Sequence, residues 1–174
     1  LSVKDSATLA MLLHSIGDME RISDHAVNIA ESAEEMHQKN MAFSTEGAKE
    51  IGTFADAVRE ILRLSLESFV KEDMKEAVLV EPLEEVVDDL RDELKNRHVN
   101  RLREGKCTIE LGFVLSDLTT NFERVADHCS NIAACLIQTG EQDFEMHNYI
   151  HKLAKGENTP FHEHYTEYRK RYTL

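Results

Sequence analysis

The chain has 174 residues, with 20 Lys or Arg against 33 Asp or Glu, which gives a formal net charge of −13. A chain of this length predicts one domain with its own hydrophobic core. The acidic balance argues against a nucleic-acid-binding protein, because contacts with phosphates need a basic surface. No apolar run is long enough to cross a membrane, so we expect neither a membrane-spanning segment nor a signal peptide.

The cysteines and the first residue give two further expectations. An odd number of cysteines without a C-x-x-C pair predicts neither a disulfide framework nor a zinc knuckle, and it favours a reducing compartment. Cys107, Cys129 and Cys135 are each expected to be small residues in or near the core. Because the chain begins with Leu rather than Met, we expect it to be a fragment or a trimmed product.

Helical periodicity dominates the chain, which contains only 7 Gly and 2 Pro. Apolar residues recur at helical spacing in long segments, and no segment alternates as a strand would. Pro82 predicts a kink or a late start in the third helix, and Gly105 and Gly140 predict the ends of the third and fourth helices. We therefore predict an all-α antiparallel bundle. Its predicted helices are residues 5–38, 46–70, 74–103 and 108–139, followed by shorter helices over residues 144–155 and 161–172.

An internal repeat with an offset of 103 residues relates DMERISDHAVNIA at residues 18–30 to NFERVADHCSNIA at residues 121–133. Seven positions are identical, and five of those seven are polar or charged. A repeat that served packing alone would preserve its apolar positions and let the polar ones vary. The pattern therefore favours a polar task shared by both copies. The identical residues are Glu20, Arg21, Asp24, His25, Asn28, Ile29 and Ala30, which recur as Glu123, Arg124, Asp127, His128, Asn131, Ile132 and Ala133.

In each copy a Glu and an Asp lie four residues apart on one face of the predicted helix. This spacing places two carboxylates on neighbouring turns, about 5–6 Å apart at Cβ. At the border of a core, two such anions are unstable without a proton, an Arg or a metal ion. Carboxylates on facing helices build multinuclear sites in helical bundles, and oxygen-rich ligands suit iron, manganese, magnesium or zinc. The alternative is an ordinary surface ladder of salt bridges, in which Arg21 pairs with Asp18 and Asp24.

The PhoU family of phosphate-uptake regulators has a signature that resembles both copies, and the similarity covers nearly the whole chain. The resemblance is strongest to the PhoU-like region that follows the membrane part of bacterial sodium/phosphate cotransporters. Two stretches are similar to that branch, RHVNRLREGKCTIELGFVLSDLTTNFERVADH at residues 97–128 and YTEYRKRYTL at residues 165–174. The resemblance implies a cytoplasmic, non-enzymatic regulator of phosphate uptake, tethered to the inner face of the membrane in a full-length protein. Its implied partner is a phosphate transporter or its own membrane domain.

The resemblance also implies a domain organisation, because PhoU proteins are built from two tandem three-helix repeats. Residues 1–40 would be the last helix of a truncated first repeat, residues 46–139 a complete second repeat, and residues 141–174 short C-terminal helices. The apolar stripe around Leu12 and Ile16 in the first helix then needs a cover. The C-terminal helices could supply it, or a second copy could do so in a homodimer, and we predict the homodimer.

PhoU proteins hold multinuclear iron or zinc clusters between carboxylate motifs on two helices of each repeat. The resemblance therefore implies ligands from the repeated motif and from the helix over residues 74–103, where Glu84 and Asp88 match the family pattern. A ladder shifted by one residue, which begins at Glu85 and includes Asp89, has equally good spacing. Only the expected placing of Val87 and Leu90 towards the core favours the first ladder, and a solvated acidic face is the alternative for both. The first-repeat site would lack half of its ligands. The implied metal ligands are Glu20, Asp24, Glu84, Asp88, Glu123 and Asp127.

Four further polar residues of the repeat are candidates for supporting roles. His25 and His128 lie about 140° around the helix from Glu20 and Glu123, away from the carboxylate stripe, so they are predicted to hold a neighbouring carboxylate or to face solvent. Asn28 and Asn131 are predicted either to support the ligands or to hydrogen-bond between helices.

Two alternatives to a regulator stay open. A carboxylate-bridged metal site could hydrolyse phosphoesters or bind oxygen, and a purely structural bundle would need no ion. The sequence has neither the E-x-x-H pairs of ferritin-like di-iron oxidases nor a Gly-rich phosphate loop, which favours a non-enzymatic role.

Overall fold

The computed structural model describes residues 3–140 and 159–174, and all regular structure in those ranges is α-helical. The prediction of an all-α bundle is therefore confirmed. The predicted short helix over residues 144–155 lies outside the described residues. The helices are α1 (Val3–Gln38), α2 (Thr45–Lys71), α3 (Met74–Ala77), α4 (Val80–Arg103), α5 (Ile109–Gly140) and α6 (Thr159–Arg171).

Local side-chain chemistry sets the helix boundaries. The hydroxyl of Ser44 accepts a hydrogen bond from the backbone N–H of Gly47 and caps the start of α2. Glu72 ends α2 in the left-handed conformation, with φ of 52°. Gly105 has φ of 68°, which a glycine adopts without strain, so α4 ends there as predicted. The hydroxyl of Thr108 accepts from the N–H of Leu111 at the start of α5.

The predicted third helix is divided into two, which corrects the single helix expected over residues 74–103. Asp73 caps the short helix α3 by accepting from two backbone N–H groups, and α4 begins at Val80 after a two-residue break. Pro82 lies in the first turn of α4, where a missing N–H costs no intrahelical hydrogen bond. The late start was therefore the correct alternative, and Pro82 does not kink the long helix.

Helices α2, α4 and α5 form a three-helix bundle around the hydrophobic core. Ion pairs and hydrogen bonds show their directions, because the start of α2 lies beside the end of α4, and the start of α4 lies beside the end of α5. Each helix contributes one apolar face to the shared core. The side chains without exposed surface include Phe54, Ala57, Ile61, Val80, Leu83, Val86, Val87, Leu90, Leu94, Cys129 and Ile132.

Helix α1 packs mainly along α5, in the opposite direction, with Met11 beside Thr139 at one end and Lys39 near Glu110 at the other. The apolar stripe of α1 does not face α5. Leu12 is 41% exposed and Ile16 is 61% exposed. Large apolar side chains are thus left uncovered by the described residues, although burying each one would be favourable by about 1.5–3 kcal/mol.

The C-terminal helix α6 packs against α4 rather than over the stripe of α1. Tyr165 donates a hydrogen bond to Asp89, and Arg169 donates to Glu93 at 2.7 Å. At the end of the chain, the backbone carbonyl of Leu174 accepts from Arg97 at 2.7 Å. The C-terminal helix α6 therefore does not cover the apolar stripe of α1, which was one of the two predicted arrangements.

A matched pair of Val→Ala substitutions tests the position of the core. Val87 has no exposed surface, whereas Val70 is 80% exposed. We expect Val87→Ala to lower the free energy of unfolding by about 2 kcal/mol, because it removes two buried methyl groups and leaves a cavity. We expect Val70→Ala to change it by less than about 0.5 kcal/mol. Urea titration followed by circular dichroism measures both, and equal losses would contradict the assignment of α4 to the core.

Candidate functional site

The polar residues of the internal repeat meet along the contact between α1 and α5. The Nδ1 atom of His25 lies 2.8 Å from the side-chain oxygen of Asn121, and the Nδ1 atom of His128 lies 2.8 Å from a carboxylate oxygen of Asp18. The two imidazole rings stack on each other with centroids 5.7 Å apart. The contact between the helices therefore has a polar centre within an otherwise apolar packing surface.

This polar centre has approximate two-fold symmetry. Residues 18 and 121 occupy equivalent positions in the two copies of the repeat. His25 of the first copy contacts Asn121 of the second copy, and His128 of the second copy contacts Asp18 of the first. The amides of Asn28 and Asn131 complete the pattern, because they lie within hydrogen-bond distance of Asn121 and Asp18, at 3.1 and 3.4 Å. The repeated His and Asn residues thus hold α1 and α5 together in register. This task requires no ion.

The first carboxylate pair, Glu20 and Asp24, lies on the side of α1 away from this contact. Both side chains are exposed. In the described part of the chain, no helix packs against α1 on that side to add further carboxylates. The structure thus brings the second pair into a cluster but leaves the first pair by itself.

The second carboxylate pair faces the predicted residues of α4. The pKa of Glu84 is raised from its ordinary value of 4.5 to about 7, chiefly by burial and then by the negative charges of Asp88, Glu81 and Asp127. Burial also raises the pKa of Asp88, and the charges of Glu123 and Asp127 act in the same direction. These mutual effects place four carboxyl groups in one cluster between α4 and α5. We call Glu84, Asp88, Glu123 and Asp127 the carboxylate quartet.

One oxygen of the quartet is left without a hydrogen bond. The Oδ1 atom of Asp88 is buried, and no donor in the described residues hydrogen-bonds to it. A buried acceptor without a hydrogen bond costs about 1–3 kcal/mol. The Nη1 atom of Arg91 lies 3.6 Å from this oxygen and compensates part of that cost. The donor set of the quartet consists of carboxylate oxygens, which are the ligands that hard divalent cations and iron prefer. The chemistry of these residues therefore fits a metal ion.

Arg91 and Arg124 supply the positive charge that the structure places beside the quartet. The guanidinium of Arg91 donates a hydrogen bond to Glu123, lies 3.6 Å from Asp88 and pairs with Asp92 at 3.1 Å. Arg124 donates a hydrogen bond to Asp127 at 3.1 Å. The two guanidiniums therefore neutralise part of the charge that an ion would otherwise neutralise. As the side chains stand, no three His, Cys, Asp or Glu residues within 3–140 and 159–174 converge closely enough to hold a metal ion. Binding would require the quartet to exchange its contact with Arg91 for the ion.

The structure also distinguishes the two acidic ladders of α4. Asp89 hydrogen-bonds to Tyr165, and Glu93 pairs with Arg97 and Arg169, so the shifted ladder contacts α6 and its own helix. The ladder with Glu84 and Asp88 faces α5 instead. The preference for this ladder followed from the expected placing of Val87 and Leu90 towards the core, and both side chains are buried there.

Two charged groups were not identified by the sequence analysis. Arg91 follows Asp88 by three residues, and this spacing was the available signal for a shared face. Glu50 is only 4% exposed and is paired with Arg97 and Arg101 at 3.0 and 2.8 Å. Nothing in the local pattern marks a Glu on the apolar side of α2 as the centre of a buried ion cluster.

The fold and the site define an all-α repeat protein with a cluster of carboxylates between two of its helices. The sequence model of the PhoU domain matches residues 2–33 and 51–136, which is more than half of the chain. The chain therefore belongs to the PhoU family.

The curated relatives carry names from phosphate transport. "Phosphate-specific transport system accessory protein PhoU homolog 1" of Thermotoga maritima is 26% identical over 156 residues, which cover 88% of this chain and 66% of the relative. A PhoU homolog of the same description from Deinococcus radiodurans is 25% identical over 130 residues, which cover 75% of this chain and 60% of the relative. The chain thus spans less than two thirds of the length of these relatives. No solved structure gives a significant match.

None of the helices in the described ranges combines the length and the hydropathy that crossing a bilayer requires.

The raised pKa of Glu84 predicts a pH dependence of stability in metal-free protein. The folded state binds this proton up to a pH of about 7, whereas the unfolded chain releases it near 4.5. Between these values the folded state holds more protons, so stability falls as pH rises and then levels off above about 7. Because Glu84 is only partly buried, we expect a loss on the order of 1–2 kcal/mol.

Glu84→Gln should remove this part of the pH dependence and be more stable than the parent at pH 8. Its exposed neighbour supplies the control, because Glu85→Gln changes the same charge outside the quartet. Urea titrations at several pH values in the presence of a chelator measure the effect. Identical pH profiles for the parent and Glu84→Gln would show that Glu84 is not coupled to the quartet.

Proposed function

We propose that this protein is a metal-binding, non-enzymatic regulator of phosphate uptake, and that the carboxylate quartet holds its metal. One observation carries the proposal: two helices bring four carboxyl groups together with only two guanidiniums, those of Arg91 and Arg124, and with one buried oxygen without a hydrogen bond. An excess of buried negative charge is unfavourable unless cations or protons compensate it. Membership of the PhoU family and the names of the relatives support the link to phosphate transport.

The proposed ion is iron or zinc, with manganese or magnesium as further members of the class that oxygen ligands accept. Glu84 and Asp88 would bind it from α4, and Glu123 and Asp127 from α5. Glu20 and Asp24 would form the corresponding half of another site on α1. His25, His128, Asn28 and Asn131 would support these sites indirectly, by fixing the rotation of α1 and α5 about their axes.

The proposed partner is a phosphate transporter or a membrane domain of the same protein, as in sodium/phosphate cotransporters, at the cytoplasmic face of the membrane. The net charge of −13 supports a basic rather than an acidic partner surface and disfavours nucleic acid. An enzyme that hydrolyses phosphoesters through the same ion is the second candidate, since paired carboxylates can hold the ions that such enzymes use.

The quartet variant Glu84→Gln, Asp88→Asn, Glu123→Gln and Asp127→Asn tests the metal site. We expect it to lose binding of iron(II) and zinc in equilibrium dialysis, because four neutral amides cannot compensate a divalent charge. We also expect the metal-free variant to be more stable than the metal-free parent, because like-charge repulsion is relieved. The control carries Glu31→Gln and Glu34→Gln, two exposed positions of α1, and should bind as the parent does. Equal metal content in the parent and the quartet variant would place the site elsewhere.

The same variant tests the regulatory role. When it replaces the parent gene in the source organism, we expect phosphate uptake to change at unchanged abundance of the protein. A phosphatase assay on metal-loaded parent distinguishes the enzyme, and we expect no turnover above that of the quartet variant. Robust hydrolysis that disappears with Asp127→Asn would favour the enzyme instead.

We also propose that a second copy of this chain covers the exposed stripe of α1. The internal repeat supports this proposal, because Leu12 and Ile16 correspond to Leu115 and Thr119 of α5, which are buried in the bundle. The stripe of α1 therefore lies on the helix face that, in α5, packs against other helices. In a symmetric dimer, two such stripes would cover each other and bring two Glu20 and Asp24 pairs to the same side.

Sedimentation velocity tests the homodimer. We expect the parent to sediment as a dimer and Leu12→Glu with Ile16→Glu to sediment as a monomer, because four charges would be buried in the symmetric interface. The matched control introduces Val70→Glu and Val99→Glu, which are exposed positions on α2 and α4, and should remain a dimer. A monomeric parent at micromolar concentration would exclude the dimer.

A further inference from the structure

The C-terminal helix α6 is held on the bundle by polar side chains of two different helices. On α4, Asp89 accepts a hydrogen bond from the hydroxyl of Tyr165, and Glu93 accepts one from Arg169 at 2.7 Å. The hydrogen bond from Arg169 is the main reason that the pKa of Glu93 lies below its ordinary value. The carboxylates of α4 that face α6 are therefore bound by its basic and phenolic side chains.

Helix α2 supplies the second set of contacts. The guanidinium of Arg171 donates to both carboxylate oxygens of Glu60, at 2.8 and 3.0 Å, and the hydroxyl of Tyr172 donates to the same carboxylate. Because α2 and α4 pack against each other, α6 lies across the groove between them. We call this groove, with Glu60 on one side and Asp89 and Glu93 on the other, the acidic groove.

The acidic groove also has an apolar component. Tyr168 and Tyr172 are only 6% and 8% exposed, and both belong to the hydrophobic core. Burial raises the pKa of Tyr168 to about 12, because the phenolate form loses its contact with water. A helix that fits the groove therefore needs aromatic side chains on one face with basic side chains beside them, and α6 has both.

Helix α6 is nevertheless a weakly attached element. It has 13 residues, a length at which an isolated helix is marginal in water, so its helical form depends on its docking. Its ion pairs are partly open to solvent, since the side chain of Arg169 is 32% exposed and that of Arg171 is 47% exposed. Pairs of this kind are individually weak and are screened by salt. An element held in this way opens at a lower free energy than the whole domain unfolds.

We propose that the acidic groove is a docking surface for a basic amphipathic helix of a partner protein, and that α6 occupies the groove until such a helix displaces it. Charge complementarity determines this class of partner, because α6 ends in three basic residues, Arg169, Lys170 and Arg171, in a chain whose net charge is −13. The proposal rests on the proposed function for the existence of a partner. The experiments below follow α6 itself, so a negative result in them is distinct from a negative result for the metal site or for phosphate uptake.

Hydrogen exchange of the full chain, measured by mass spectrometry, tests the attachment of α6. In about 50 mM NaCl we expect the amides of α6 to exchange at least about tenfold faster than the buried amides of α5. In about 0.5 M NaCl this ratio should rise at least about threefold further, because salt screens the ion pairs. Exchange of α6 at the rate of α5 in both solutions would overturn the proposal.

Single substitutions in the last turn of α6 test the role of charge. Arg169→Gln removes the ion pair with Glu93, and we expect it to speed the exchange of α6 at least about threefold. Lys170→Gln is the matched control, because it removes the same charge from an exposed neighbouring position and Gln has a similar helix propensity. Equal exchange rates in the two variants would overturn the role of the ion pair in holding α6.

A fluorescein-labelled peptide with the sequence of residues 159–174 is the probe for a partner helix. At concentrations up to about 1 mM, which match those of a tethered segment, we expect fluorescence anisotropy to detect its binding to the full chain. Binding should be at least about fivefold tighter to a chain with Arg169→Gln and Arg171→Gln, because the α6 of that chain is weakly held. Adding Glu60→Gln and Glu93→Gln to that chain should weaken binding at least about fivefold, because these substitutions neutralise the groove.

The peptide should also speed the hydrogen exchange of α6 in the parent, since both helices compete for one groove. A peptide of the same composition in scrambled order is the control and should not bind. Absence of binding to the chain with Arg169→Gln and Arg171→Gln would overturn the docking surface. Binding that leaves the exchange of α6 unchanged would also overturn it, because the peptide would then occupy another surface.

Discussion

Helix α5 is in contact with neighbours on three sides, and the rest of the structure depends on how it is packed. One side meets α1 through the polar centre of His25 and His128, a second side enters the core with α2, and a third side faces α4. At 100° per residue, the positions of Glu123 and Asp127 lie more than a quarter turn from the seam position of His128. A single helix can therefore hold α1 and present carboxylates to α4 at the same time.

At the carboxylate quartet, this packing brings partly buried negative charges together. The core on one side buries Glu84 and Asp88 and so raises their pKa values, while Arg91 and Arg124 compensate only part of the negative charge on the other side. In a surface ladder whose charges were all paired, the pKa values of the carboxyl groups would not be raised. The unbalanced charge explains why this cluster, rather than the equally acidic ladder beside α6, is the candidate for a cation.

Sequence periodicity could predict the long helices, because few Gly and Pro residues interrupt them and some boundaries have a local signal, such as Ser44 before α2 and Gly105 after α4. It could not predict the break before Val80, since Met74–Ala77 and Val80–Arg103 have one continuous helical pattern and only Pro82 indicated a late start. The pair spacing and the family resemblance together indicated Glu84 and Asp88. Neither could predict the pairing of Glu50 with Arg97 and Arg101, because contacts between helices depend on the rotation of each helix and not on local spacing.

The internal repeat shows why identical polar residues need not share one task. The spacing that places Glu and Asp on one face also places His and Asn on another, and the two faces have different neighbours. In α5 the first face meets α4 and becomes a carboxylate cluster, whereas in α1 the equivalent face is exposed. The His and Asn face has the same role in both copies, because each copy is the other's partner across the polar centre. A repeated motif can therefore be complete as a packing device in both copies and complete as a candidate ion site in only one, depending on which helices surround it.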